Sequence, residues 1–138
     1  MTNPVLSQAF SDVPQAPGDA RHWLEGALAE LGYTDFHDEL MLLVSELVTN
    51  AIRYTGDAVG VTVYVHATGI WVSVADDGAG RVELRHADVT DVSGRGIELV
   101  DKLSTNWGVI AERAGKSVWF EMSDTQPAPL SGHPPASD

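Results

Sequence analysis

The sequence predicts an α+β fold, a two-layer sandwich in which a mostly antiparallel, mixed sheet is covered on one face by three helices. Three observations carry that expectation. Val61, Val63 and Val65 alternate with Thr62, Tyr64 and His66, the period of a half-buried strand. Two longer segments, 19–31 and about 36–54, place their apolar residues at helical spacing instead. Adjacent strand-like runs with short turns between them favour hairpins over parallel crossovers.

The elements follow in order. Val5–Phe10 is short, uncharged and precedes Pro14 and Pro17, which suits an edge strand followed by a turn. Trp23, Leu24, Ala27, Leu28 and Leu31 then define a first helix from Asp19, and Gly32 supplies its stop. The second helix begins at Asp35 or Phe36, with Asp35 as N-cap, and Gly56 lies beyond its end. Its apolar face is Leu40, Leu43, Val44, Leu47, Val48 and Ala51. A hairpin through Thr68-Gly69 joins Val61–Val65 to Ile70–Ala75, and residues 81–92 are polar without a clear period. Ile97, Val100 and Leu103 restore helical spacing, and a last hairpin turns at Ala114-Gly115.

Composition narrows the function classes. The 138 residues suit one domain, with 43% apolar and 20% charged residues. Residues 1–124 are expected to form it, and the Pro/Ser-rich 125–138 to be a disordered tail. There is no cysteine, so disulfides and thiolate chemistry are absent. No apolar run approaches the roughly 18 residues of a membrane span, and the N-terminus lacks the pattern of a secretory signal, so a cytoplasmic protein is expected. Twenty acidic against eight basic residues give a net charge of −12. Such a surface repels nucleic acid and anionic lipid, which need clustered Lys and Arg. A small nucleotide site built from backbone N–H groups, a metal ion and a few side chains remains open.

Three places could hold such chemistry. Glu46 and Asn50 are one helical turn apart at the border of the apolar face, Asn50 nearer its centre. By itself the pair reads more readily as ordinary structure, Glu46 a solvated rim residue and Asn50 a late-helix polar position. Asp76-Asp77-Gly78-Ala79-Gly80 follows directly on a strand, where a held carboxylate can accept a hydrogen bond from an exocyclic amine. The same residues make ordinary turns. Ser93-Gly94-Arg95-Gly96 opens a helix, whose exposed N–H groups and dipole favour an anion. Ser93 as a simple N-cap is the plainer alternative. His22, His37, His66, His86 and His133 lack metal-ligand spacing and are read as structural or solvated. The four tryptophans are read as core or interface.

Taken in order, Glu-x-x-x-Asn on a helix, Asp-x-Gly-x-Gly after a strand and Gly-x-Gly at a helix start resemble the N, G1 and G2 boxes of the GHKL (Bergerat) ATP-binding fold. Within that superfamily the chain resembles the small anti-sigma-factor serine/threonine kinases. The carriers are Ser45-Glu46-Leu47-Val48-Thr49-Asn50-Ala51, the Asp76–Gly80 loop, Gly94-Arg95-Gly96-Ile97-Glu98-Leu99-Val100, Trp107-Gly108 and Gly115-Lys116-Ser117-Val118-Trp119-Phe120. Too few residues precede Glu46 for the dimerisation and phospho-accepting helices of a sensor histidine kinase.

The resemblance implies a role for each site. Asn50 would bind Mg²⁺ together with ATP phosphate oxygens, and Glu46 would be the general base for an incoming serine hydroxyl. Asp76 would hold the adenine amine, with Gly78 and Gly80 shaping its loop. Gly94, Arg95 and Gly96 would cradle the phosphates, and residues 81–92 would be the lid. It further implies a homodimer that phosphorylates a small antagonist protein and sequesters a sigma factor, hence a regulator of transcription without direct nucleic-acid contact. The alternative is an ATP-binding sequestration module without phosphotransfer.

Overall fold

The computed structural model describes residues 5–11, 13–55, 58–76, 95–112 and 115–124. The expected lid at 81–92, the tail at 125–138, and Gly78, Gly80 and Gly94 lie outside the described residues. The elements run β1 (Val5–Phe10), α1 (Ala16–Leu31), α2 (His37–Thr55), β2 (Val59–His66), β3 (Gly69–Asp76), α3 (Arg95–Leu103), β4 (Asn106–Glu112) and β5 (Gly115–Ser123). The strands form one sheet in the order β1-β2-β3-β5-β4. All four ladders are antiparallel.

Register decides which side chains meet the helices. Val61 pairs with Val74, and Val63 with Val72. Val74 and Val72 continue across β3 to Val118 and Phe120 of β5. These residues are buried, and they share one core with Leu24, Leu28, Leu40, Leu43, Val44, Leu47, Val48 and Val100 from the helices. Each such side chain contributes about 1.5–3 kcal/mol by leaving water. The α2 face expected from spacing is the observed one: five of its residues are buried and Ala51 packs partly against them.

Helix ends show where local chemistry differs from the spacing. α1 begins at Ala16, three residues before Asp19, because Pro17 sits in its first turn. There the missing N–H has no partner to lose and the fixed φ is already helical. Its other end is the expected one: Gly32 takes φ 71°, and the Tyr33 N–H reaches the Leu28 carbonyl at 2.9 Å.

At the start of α2 the expected Asp35 cap is corrected. The first helical residue is His37, and no side-chain hydrogen bond from Asp35 caps the helix among the described residues. Phe36 takes the flanking position at φ 58°, and its carbonyl accepts the Leu40 N–H at 2.9 Å. A left-handed conformation costs a residue with a Cβ about 1–2 kcal/mol. Packing of the Phe36 ring against the core offsets it.

The hairpin between β2 and β3 closes over Gly69. A Cβ there would run into the Met122 carbonyl oxygen and sit 2.8 Å from the Ser123 Cα, so β5 needs a glycine beside it. The bare position also lets His66 reach across β3 to Glu121 on β5, where Nε2 and Oε2 lie 2.7 Å apart. Asn106 on β4 donates to the other oxygen of Glu121 at 3.2 Å. His66 is therefore structural, half-buried and paired. Trp119, 1% exposed, lies against Gly108, where a Cβ would meet its indole at 2.7 Å.

Candidate functional site

The topology brings the end of α2 and Asp76 toward one end of the sandwich. Val59, the first residue of β2, pairs with Asp76, the last of β3. Only a short connection separates Val59 from the end of α2, so the C-terminal half of α2 lies beside Asp76. β5 runs antiparallel to β3, which brings its start at Gly115–Lys116 to the same end. α3 finishes beside the start of β4, where Asn106 pairs with Glu121, far along β5 from Lys116.

Glu46 and Asn50 stand one turn apart on α2, both half-buried, as their positions on the helical wheel require. Next to them the helix carries two hydroxyls bonded to its own backbone: Thr49 donates to the Ser45 carbonyl at 2.7 Å, and Ser45 to the Leu42 carbonyl at 3.1 Å. Neither hydroxyl competes for Asn50. The Nδ2 of Asn50 is buried and has no hydrogen-bond partner among the described residues. A buried amide nitrogen left that way costs about 1–3 kcal/mol. Groups of this kind call for a partner outside the chain.

Asp76 faces the helices. On β3, Ile70, Val72 and Val74 point into the core, and the period of two puts the Asp76 side chain on that same face, one step past the last buried valine. It is half-buried there. Its Oδ1 accepts the Lys116 backbone N–H at 3.4 Å, a long bond. Spacing in the sequence does not single out Lys116; only the β3–β5 register brings it beside Asp76.

α3 is fixed from its other end. Val100 is fully buried, Leu99 and Leu103 pack partly on the core, and the Trp107 indole N–H donates to Asp101 at 2.9 Å. Glu98 adds an acidic residue to the first turn of α3, which favours the helix dipole itself. Arg95 and Gly96 are its first two residues.

The donor set fits a metal-bound nucleotide. A carboxamide offers an oxygen to a hard cation and N–H groups to phosphate oxygens, and the buried nitrogen of Asn50 has that second capacity unused. The Asp76 carboxylate, at the end of β3, can accept from an amine. Among the described residues no cluster of three or more His, Asp or Glu could hold a metal by itself. A cation here would share its ligands with phosphate, as Mg²⁺ does.

Comparison with known proteins identifies the family and the fold. The family described as histidine kinase-, DNA gyrase B- and HSP90-like ATPase matches residues 36–126. Among solved structures, the chain is similar to the RsbU and RsbW domains of Rv1364c from Mycobacterium tuberculosis, with a TM-score of 0.62 and 19% sequence identity. The match covers 87% of this chain and 32% of that one, so the present chain spans about a third of its length. At that identity the likeness speaks for the fold. No curated protein sequence matches the chain.

Proposed function

The chain belongs to the histidine kinase-, DNA gyrase B- and HSP90-like ATPase family, and from that premise we propose that it is an ATP-dependent serine/threonine kinase of anti-sigma-factor type. In this reading it phosphorylates a small antagonist protein and sequesters a sigma factor while that antagonist is unavailable. The observation that carries the nucleotide half is the buried, unpartnered Nδ2 of Asn50, one turn from Glu46 and at the same end of the sandwich as Asp76.

Each residue has a task in that reaction. Asp76 accepts the adenine amine and sets the depth of the base, with Gly78 and Gly80 shaping the loop that follows. The start of α3, with Gly94, Arg95 and Gly96, gives N–H groups to the phosphates. Asn50 aligns the phosphate tail, and its oxygen holds Mg²⁺, which neutralises phosphate charge when bound. Glu46 takes the proton of the serine hydroxyl as that oxygen bonds to the γ-phosphorus. The bond from γ-phosphorus to its bridging oxygen breaks, and ADP leaves. Alignment and charge neutralisation do most of this work, so one base and one phosphate cradle suffice.

The likeness to a structure that includes an RsbW domain supports the partner half of the proposal. So does the net charge of −12, which turns transcriptional control toward protein partners and away from DNA. Among the described residues no helix is long and apolar enough to cross a membrane. A cytoplasmic homodimer is the state in which we place it.

The test is radiolabel transfer from ATP to a candidate antagonist. Glu46→Gln keeps the size of the side chain and removes the basic oxygen. Transfer should fall by about 10²–10⁴-fold while ATP affinity holds. Equal transfer by wild type and variant removes Glu46 from the mechanism. Bound ATP with no transfer by the wild type leaves the chain a sequestration module.

A further inference from the structure

We propose that Lys116 is a specificity-determining residue for the base of the nucleotide, its ammonium donating a hydrogen bond to the ring nitrogen next to the amine that Asp76 holds. The inference rests on the nucleotide reading and adds to it the chemistry by which the base is chosen.

Register places the two charges together. β3 and β5 pair Val74 with Val118 and Ala75 with Ser117. One step further along the same ladder lie Asp76 and Lys116, and the Lys116 backbone N–H reaches the Asp76 Oδ1 at 3.4 Å. Val118, Phe120 and Met122 of β5 are buried in the core. The period of two therefore turns the Lys116 side chain to the helix-bearing face, the face on which Asp76 lies.

The fold itself does not call for a lysine there. An inward-pointing lysine commonly protects an edge strand from pairing with another chain. β5 is an inner strand, with β3 on one side and β4 on the other, so it has no edge to protect. Lys102, the other lysine of the chain, has an evident task, since a cation in the last turn of α3 suits the helix dipole. Lys116 is half-buried, and among the described residues no ion pair takes up its ammonium. A lysine in such a place lays its stem along apolar surface and sends the ammonium on to a polar partner.

The chemistry of the two side chains selects that partner. An ionised carboxylate only accepts hydrogen bonds and an ammonium only donates them. Side by side on one face, they read a flat edge that carries an amine next to an unprotonated ring nitrogen. Adenine presents that edge. Charge alone would draw a triphosphate to a lysine anywhere near the site, but a lysine beside the carboxylate that holds the amine is placed for the base.

The measurement is calorimetric titration of the whole chain, with Mg²⁺, using ATP and 1-deaza-ATP, in which the ring nitrogen beside the amine is replaced by C–H. Wild type should bind ATP about 10–100-fold more tightly than the analogue, the range of a hydrogen bond with one charged partner. Lys116→Met keeps an unbranched stem and removes the ammonium. It should bind ATP as weakly as wild type binds 1-deaza-ATP, and should bind the two nucleotides alike. A loss shared equally by both nucleotides is a general attraction for phosphate and overturns the proposal, as does an ATP affinity equal to that of wild type. Should Lys116→Met lose cooperative melting, Lys116→Val, a good strand former, decides by the same comparison. Wild type that binds ATP and 1-deaza-ATP alike overturns this inference alone, whereas wild type that binds neither overturns the nucleotide reading with it.

Discussion

Asp76 and Val59 are cross-strand partners, so the last residue of β3 sits beside the first residue after the α2–β2 connection. That one pairing joins the two halves of the candidate site. It places a carboxylate from a strand end beside the helix that carries Glu46 and Asn50.

Asp76→Asn should leave the fold intact, because the side chain is half-buried and its bond from the Lys116 N–H is long at 3.4 Å. Nucleotide binding should weaken by about 1.5–3 kcal/mol, the worth of a charge-assisted hydrogen bond. Calorimetric titration with ATP reads the difference. Unchanged affinity would remove Asp76 from adenine recognition.

Gly69→Ala should destabilise the chain by about 1–3 kcal/mol, as overpacking does when backbone must move. The new methyl would meet the Met122 carbonyl oxygen and the Ser123 Cα, and neither is the end of a flexible side chain. Urea denaturation followed by circular dichroism gives the value. A midpoint equal to wild type would show that the β3–β5 approach is not tight.

His37 predicts a pH dependence. Hydrogen bonds that the ring donates to the Asp38 and then the Glu25 carboxylate raise its pKa above the ordinary 6.5. The folded state therefore holds the proton more tightly than the unfolded one. The stabilisation is fully present below about pH 6.5 and fades as pH rises through the higher folded value. His37→Gln should flatten the stability profile in that window. Since the ring is exposed, the effect should be small and reduced by salt. Equal pH profiles for wild type and variant would contradict the assignment.

Much of this architecture was legible in the sequence because burial writes itself as period. The α2 face from Leu40 to Ala51 and the alternation of Val61, Val63 and Val65 each identified the core side of an element. Glu46 and Asn50 were legible for the same reason, as polar residues at the border of a helical stripe. What stayed hidden depends on long-range register or on backbone strain. Lys116 reaches Asp76 only through β5 pairing. The His66–Glu121 pair needs β2 and β5 on either side of a bare Gly69. Phe36 in a left-handed conformation displaces Asp35 from the cap, and no propensity anticipates an aromatic residue there.

The central claim, that Asn50 at the end of α2 holds the phosphates of a metal-bound nucleotide, is tested most directly by one calorimetric comparison. Wild type and Asn50→Ala are titrated with ATP, each with Mg²⁺ and with EDTA. The account predicts that wild type binds ATP more tightly with Mg²⁺ than without, and that Asn50→Ala weakens binding and loses most of the Mg²⁺ dependence. Identical Mg²⁺-dependent binding by the two proteins, or no heat from wild type at millimolar ATP, would contradict it.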